Sequence, residues 1–270
     1  MIRSNLHTHT TFSDGKNSPE EMILRAKELS FTSLGFSDHS EKMMPCTFYP
    51  SKENVEEYRK AISELSCKYQ GEIDIFCGIE QDSMMEIDPS LFDYTIGSVH
   101  YISVCDEMIP IDLFPEDQLS FIEKHGRGEK MELARRYYDR VVTFAQKGEY
   151  DILGHFDLVN KFSFFDENDP VYQDLATQAL EEALSCVPYI EVNTGAISRG
   201  YRTTPYPASF LLPVMKKRNA KIVISSDAHF AAGLDCFFDQ TVEILKENGF
   251  TTYFQKTRDG FEEIPLLIER

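Results

Sequence analysis

Short apolar runs recur along the chain, and each is followed by a polar residue and then by a stretch with helical spacing. Seven runs follow this order: Ile2–Leu6, Ser33–Phe36, Ile73–Ile79, Tyr94–Val99, Tyr150–Gly154, Tyr189–Val192 and Lys221–Ser225. Apolar runs of this length, bounded by turn residues, are typical of buried strands. Strands that alternate with helices predict an α/β fold with a parallel sheet.

The stretches between the runs predict helices, because their apolar residues are three or four positions apart. The first helix has the clearest start: Ser18 can cap it, Pro19 suits its first turn and Glu21 completes a capping box. Six further helices are predicted, over residues 52–69, 116–124, 128–147, 171–186, 206–219 and 239–249.

Seven strand–helix units favour a closed or nearly closed barrel over an open nucleotide-binding sheet. No Gly-x-Gly-x-x-Gly motif and no P-loop follows any of the runs. A loop with Pro45 and Pro50 follows the second run, a polar insertion with Asp106 and Pro110 follows the fourth, and residues 251–255 predict a short strand. Barrels of this kind carry their chemistry at the C-terminal ends of the strands.

The histidines concentrate at those strand ends. Six of the seven lie at or just beyond the end of a run: His7, His9, His39, His100, His155 and His229. Glu80 and Asp227 hold the same position on their own strands, whereas His125 lies in a polar loop and is expected to be solvated. A barrel would bring the strand-end residues to one mouth. Imidazole together with carboxylate suits Zn, Fe or Mn better than Ca or Mg.

Each of these residues also has a simpler interpretation. His39 could cap a turn, and Glu80 could be an exposed acid. Asp157 could replace His155 as the ligand from its strand. Asp38 could orient a histidine by accepting its second N–H. The agreement among several strands, rather than any single motif, favours a metal site.

The composition and net charge limit the classes of partner that we expect for this chain. The chain has 270 residues with a net charge of −18, and this charge disfavours long nucleic acids. It contains no apolar stretch of 18 residues, and its N-terminus enters a strand directly, so we expect a cytoplasmic protein without a membrane span or signal peptide. The six cysteines form no Cys-x-x-Cys pair, which predicts reduced thiols.

The constellation resembles the polymerase-and-histidinol-phosphatase (PHP) superfamily of metal-dependent phosphoesterases. The motifs that carry the resemblance are His7-Thr-His9, Asp14, Ser37-Asp-His39, Gly78-Ile-Glu80, Gly97-Ser-Val-His100, Gly154-His155 and Ser226-Asp227-Ala-His229. Within the superfamily the chain is similar to the monofunctional histidinol-phosphatases. Four segments support that similarity: residues 97–101, 154–158, 191–194 and 205–207.

The resemblance implies a distorted (β/α)7 barrel, formed by residues 1–270 as one domain, with two to three divalent ions (Zn, Fe or Mn). The first ion would take His7, His9, Glu80 and Asp227. The second would share Glu80 and take His100 and His155. The third would take Asp14, His39 and His229.

Such a site predicts hydrolysis of a phosphate monoester, and the resemblance implies histidinol phosphate as the favoured substrate. A hydroxide generated at the site would attack phosphorus in line with the departing alkoxide. Asp227 would orient the hydroxide, and either Asp227 or His229 would relay a proton. Arg199 is the first candidate for a phosphate clamp and Lys161 the second, because both follow predicted strands.

Three alternatives differ in class. A second PHP activity would act on another small phosphate ester, a cyclic phosphate or a dinucleotide. A metallo-amidohydrolase shares the first His-x-His motif, and a non-enzymatic metal-binding protein would share the ligands. A homo-oligomer is compatible with all three. Asp82 and Glu191 are candidates for meeting a substrate ammonium.

Overall fold

The apolar runs form parallel strands in a computed structural model that describes residues 2–40 and 52–266. The strands in chain order are β1 (Ser4–Asn5), β2 (Ser33–Phe36), β3 (Asp74–Asp82), β4 (Tyr94–Ser98), β5 (Tyr101–Val104), β6 (Glu107–Pro110), β7 (Ile152–Leu153), β8 (Tyr189–Asn193), β9 (Ile222–Ser225), β10 (Thr252–Thr257) and β11 (Gly260–Pro265). Seven of them form one parallel sheet in the order β1-β2-β3-β4-β7-β8-β9. A parallel bridge between Thr8 and Ala228 links the segments that follow its first and last strands. The sheet is therefore the nearly closed barrel that the pattern predicted.

Helices follow most of the barrel strands, and the main apolar core lies between the helices and the sheet. They are α1 (Pro19–Glu28), α2 (Lys52–Lys68), α3 (Pro115–Lys124), α4 (Lys130–Lys147), α5 (Pro170–Leu184), α6 (Gly195–Ser198), α7 (Leu212–Lys217) and α8 (Phe238–Glu247). The capping box at α1 is confirmed: the Ser18 amide donates to Glu21 Oε2 over 2.8 Å, and the Ser18 hydroxyl accepts from the Glu21 amide.

The helix predicted over 206–219 is wrong at its start. Tyr206 and Asn193 exchange backbone hydrogen bonds of 2.8 Å, so residue 206 extends beside the end of β8 and does not begin a helix. A 3₁₀ turn at Ser209–Leu211 then leads into α7.

The interior of the barrel is apolar at one end and polar at the other. Alternate residues of a strand face the same side, so Phe76, Gly78 and Glu80 all point inward from β3. Phe76 belongs to a small apolar cluster whose centre is Tyr94. A Cβ at Gly35 or Gly78 would collide with the Tyr94 ring, so these two glycines make room for it. The apolar cluster fills one end of the barrel, and the polar side chains begin at Glu80.

Two hairpins extend the barrel. The antiparallel strands β5 and β6 occupy part of the insertion that the sequence marked only as polar. They leave the barrel just after His100, and the chain then returns to the same end through Asp112. The strand predicted at 251–255 is β10, and it pairs with β11, which sequence analysis missed.

Parts of the sequence-based predictions lie outside the described residues, namely the loop with Pro45 and Pro50 and the thiol of Cys46. The five cysteines in the described ranges are free thiols, as expected. Over the same ranges, no helix combines the length and the apolar character needed to cross a bilayer.

Candidate metal centre

A pocket of about 320 Å³ opens at the C-terminal ends of the barrel strands. Its lining includes most of the side chains predicted for the site, together with an apolar group. The lining residues are Asp14, His39, Glu80, His100, Asp112, Leu113, Phe114, His155, Leu158, Lys161, Arg199, Tyr201, Asp227 and His229.

Glu80 is at the centre of the site, on β3, and is 1% exposed. Its Oε1 accepts from the Ser98 hydroxyl over 2.6 Å, which fixes the carboxylate inside the barrel. Five imidazoles face the two carboxylate oxygens at 2.9–3.6 Å: His7, His9, His39, His100 and His155. A carboxylate in this position can bridge two cations.

Asp227 faces the same centre from the segment after β9. Its Oδ1 lies 3.1 Å from His9 Nε2 and 3.7 Å from His7 Nε2. The residue has a φ of 46°, in the left-handed region that few residues other than glycine adopt. This backbone conformation at a site residue is a local strain that the surrounding structure must hold.

Asp14 lies close to two imidazoles near the mouth of the pocket. Its Oδ2 lies 3.0 Å from His229 Nε2, and its Oδ1 lies 3.6 Å from His39 Nε2. The His229 ring stacks on the His9 ring with centroids 4.2 Å apart. This stacking connects the mouth to the deeper part of the site.

All nine predicted ligands lie in this one region. Four groups of three or four side chains have ligand atoms within 4.8 Å of one another: His9, Asp14, His39 and His229; His7, Glu80 and His155; His7, His9 and Asp227; and His39, Glu80 and His100. The groups overlap, and His9 approaches the Asp14 group more closely than the resemblance implied.

Several buried atoms of the site have no hydrogen-bond partner among the described residues. They are His7 Nε2, both ring nitrogens of His9, Glu80 Oε2, His100 Nδ1 and His155 Nδ1. A buried polar atom without a partner is costly, and a cation would give these nitrogen and oxygen atoms one. The donor set therefore fits divalent metal ions.

At two central positions, Glu80 and His9, the pKa shifts favour the protonation states that bind metal ions. Burial raises the pKa of the Glu80 carboxyl, but His100 and His7 hold that pKa well below its usual range. Burial, together with His229 and His39, lowers the pKa of His9 to about 3. Glu80 is therefore an ionised carboxylate and His9 a neutral imidazole, which are the forms that bind metals.

Two buried acids orient the histidines instead of facing the pocket. Glu191 Oε1 lies 2.7 Å from His7 Nδ1, and its Oε2 accepts from the His155 amide over 2.9 Å. Asp82 Oδ2 accepts from the His100 amide over 2.9 Å. The suggestion that Asp82 and Glu191 meet a substrate ammonium is therefore wrong, because these contacts occupy their oxygens within the protein. A carboxylate behind a ligand histidine fixes its ring orientation and its tautomer.

The remaining acids and the seventh histidine have other contacts. Asp38 accepts from the Thr10 amide over 2.8 Å and from the Ser13 hydroxyl, so it shapes the loop before Asp14 instead of orienting a histidine. Asp157 accepts from the Ala208 amide and is absent from the pocket lining, which His155 reaches. His125 lies outside that lining, 3.0 Å from Glu107.

The two cations predicted to contact the substrate both line the pocket. Arg199 Nη2 pairs with Asp227 Oδ2 at 2.8 Å, and its Nη1 lies 2.9 Å from His229 Nδ1. Lys161 donates to the carbonyl of Asp112 over 2.7 Å and lies 3.1 Å from its Oδ2. Lys161 is therefore anchored to an acid that sequence reasoning did not single out.

Two positions at the site, Glu191 and Asp112, were misassigned or missed from the sequence. Glu191 had a usable signal, because an acid inside an apolar run must point into the barrel and find a partner there. Asp112 had none, since its place depends on how the β5–β6 hairpin folds back.

Known proteins are similar to this chain in sequence or in fold. A Bacillus subtilis histidinol-phosphatase is 24% identical over 271 residues, covering 90% of this chain and 99% of its own. A Deinococcus radiodurans protein named "Probable histidinol-phosphatase" is 28% identical, with coverage of 93% and 95%. The crystal structure of a Lactococcus lactis histidinol phosphate phosphatase, complexed with zinc, L-histidinol and phosphate, has the same fold: its TM-score is 0.73 at 20% identity, and it covers 96% of this chain.

The family model for the PHP domain matches residues 5–195. This range is more than half of the chain, and it contains every predicted ligand except Asp227 and His229. The chain belongs to the PHP domain family.

Proposed function

We propose that the chain is a metal-dependent phosphate monoesterase that hydrolyses L-histidinol phosphate to L-histidinol and phosphate. One observation carries the proposal: nine imidazole and carboxylate side chains meet in and beneath one pocket, with buried ligand atoms that have no hydrogen-bond partner among the described residues. The relatives named histidinol-phosphatase match over nearly the full length of both chains, which supports this substrate.

The proposal includes two to three divalent ions, with Zn, Fe and Mn as the candidates. His7, His9, Glu80 and Asp227 would hold the first, Glu80, His100 and His155 the second, and Asp14, His39 and His229 the third. When bound, such ions supply a hydroxide at neutral pH and offset the negative charge on phosphoryl oxygens.

Arg199 is the proposed phosphate clamp. Its two terminal nitrogens are engaged by Asp227 and His229, whereas its buried Nε has no hydrogen-bond partner among the described residues. The guanidinium lines the pocket, where it would meet a phosphoryl oxygen. Lys161 is a weaker candidate for the same role, because Asp112 already occupies its ammonium.

Two contacts support His229 as the residue that relays a proton to the leaving alcohol. Its Nε2 lies 3.0 Å from Asp14 Oδ2 and its Nδ1 lies 3.0 Å from the Asp227 carbonyl oxygen, so each ring nitrogen faces an acceptor. Asp227 is paired with Arg199 and stays ionised, which suits a ligand that orients the attacking hydroxide.

Turnover of a substrate panel tests the proposal. Protein loaded with Mn, Fe or Zn would be assayed on L-histidinol phosphate, on other phosphate monoesters and on a phosphodiester, with chelator-treated protein as the control. We expect the highest kcat/KM for L-histidinol phosphate and little turnover of the diester. Preference for the diester, or equal activity after chelation, would contradict the proposal.

The wider assignments from the sequence are part of the same proposal. They are one PHP-type domain over residues 1–270, a small phosphate ester as the partner, no nucleic-acid partner, and a cytoplasmic location. The net charge of −18 supports a small substrate over a polyanion.

A further inference from the structure

One carboxylate of the pocket lining is unexplained by the metal groups. Four acids line the pocket, and three of them, Asp14, Glu80 and Asp227, belong to those groups. The fourth is Asp112, which belongs to none. A negative charge at the pocket wall, outside the metal groups, is suited to a cationic part of the substrate.

The position of Asp112 is fixed beside the centre. The amide of the preceding residue, Ile111, donates to the carbonyl of His100 over 2.8 Å, so the loop lies directly against a proposed ligand. The side chain of Asp112 is 20% exposed and accepts from Lys161 only through Oδ2. Its Oδ1 has no donor among the described residues.

The side chain of Lys161 is held in place beside Asp112. Besides its two contacts with Asp112, its ammonium lies 5.0 Å from the centroid of the Tyr201 ring and 5.6 Å from that of Phe162. The Lys161 side chain is only 10% exposed. These contacts make Lys161 a fixed counter-charge that holds Asp112 ionised and in one orientation.

An apolar surface lies around the same part of the pocket. Leu113, Phe114, Leu158 and Tyr201 line it, and Phe114 and Tyr201 are 63% and 47% exposed. Exposed aromatic rings at a pocket rim can stack on a flat ring of a ligand. The metal side is thus polar, whereas the side near Asp112 combines one acid with aromatic rings.

We propose that Asp112, oriented by Lys161, binds the ammonium group of the substrate and selects phosphate esters of amino alcohols. This inference rests on the proposed function. In L-histidinol phosphate the ammonium is separated from the ester oxygen by two carbons, so it lies close to the phosphate and must bind near the metal groups. The charges then alternate along the pocket, from cations to phosphate, to ammonium, to Asp112 and to Lys161.

The test compares two substrates that differ only in the amine. Asp112→Asn would be assayed on L-histidinol phosphate and on the analogue in which hydrogen replaces the amino group. We expect kcat/KM to fall about 10- to 100-fold for the amine, as for the loss of a hydrogen bond between charged groups. For the analogue we expect a change below about threefold, because it makes no contact with Asp112. Glu116→Gln is the control, since it removes an equal charge from an exposed position in the first turn of α3, four residues further along the chain.

The outcomes separate this inference from the proposed function. Equal losses on both substrates, or no loss on either, would overturn the role of Asp112 while leaving the phosphatase intact. Failure of the metal-loaded wild type on both esters would overturn the proposed function itself. Asp112→Glu tests the charge further: partial recovery of the preference for the amine is expected, and no recovery in a variant with normal metal content would contradict the inference.

Discussion

The inner and outer parts of the metal centre differ in how the protein holds them. The inner half consists of His7, Glu80, His100 and His155, whose side chains are at most 5% exposed. The outer half consists of Asp14, His39 and His229, whose side chains are 11% to 22% exposed. His9 and Asp227 lie between the two.

The inner half has its own supports. Glu191 orients His7 and the backbone of His155, Asp82 holds the backbone of His100, and Ser98 holds Glu80. These contacts are buried and come from strands or strand ends of the barrel. The protein itself therefore holds the inner ligands in place, which lowers the cost of ordering them.

The outer half is held by contacts of a different kind. Asp14 contacts His229 and His39, and Arg199 contacts His229. Asp14 lies in the turn after β1, not on a strand. We therefore expect the inner ligands, with their buried supporting groups, to hold ions more tightly than the outer ligands.

Replacing Glu80 should give the largest effect, because it faces five imidazoles. In Glu80→Ala we expect the loss of at least two ions and a fall in kcat of at least about a thousandfold, since the ions supply several kcal/mol of transition-state stabilisation. Metal analysis and steady-state kinetics measure both. Glu86→Ala, an exposed acid on the loop after β3, is the control. Retention of all ions in Glu80→Ala would rule out the bridging role.

Replacing Arg199, which contacts both Asp227 and His229, tests its proposed role as the phosphate clamp. We expect Arg199→Ala to lower kcat/KM by about a hundredfold, the effect of losing one donor to a developing negative charge. The ion content should stay close to that of the wild type, because Arg199 is not a ligand. Arg135→Ala, which is exposed on α4, is the matched control. Unchanged kcat and KM would exclude the clamp.

Glu191→Gln tests whether the supports fix the inner half. The amide keeps the shape of the side chain but loses the charge that orients His7, so we expect metal affinity to fall about 10- to 100-fold. Titration with zinc under a competing chelator measures this affinity. The exposed Glu182→Gln on α5 controls for the loss of charge. Wild-type affinity in Glu191→Gln would show that burial alone orders the inner half.

The inner half was well predicted because local sequence patterns mark the positions of its residues. A strand end is marked by an apolar run that stops at a polar residue, as at Glu80 and His100, and parallel strands bring such ends together. The barrel and the residues at its mouth both follow from that alternation.

The supporting and specificity groups were harder to predict because they depend on non-local packing. Asp112 reaches the pocket only because a hairpin turns back beside His100, and the polar composition of that segment resembles any loop. Tyr206 carries a helical pattern after it, yet its backbone pairs with Asn193, a contact decided by the barrel wall. Glu191 was visible as an acid, but its role required knowing that His7 lies behind it.

The smallest expected effect concerns the outer half. In Asp14→Asn the side chain keeps its size and one oxygen but loses its charge, so an ion held by Asp14, His39 and His229 should bind more weakly. We expect the loss of one ion and a fall in kcat/KM of about tenfold or less, since the inner ligands keep their supports. Metal analysis would compare this variant with Glu80→Ala and with Asp174→Asn, an exposed acid on α5. If Asp14→Asn lost as many ions as Glu80→Ala, the two halves would form one cooperative site, and the buried supports would not explain their difference.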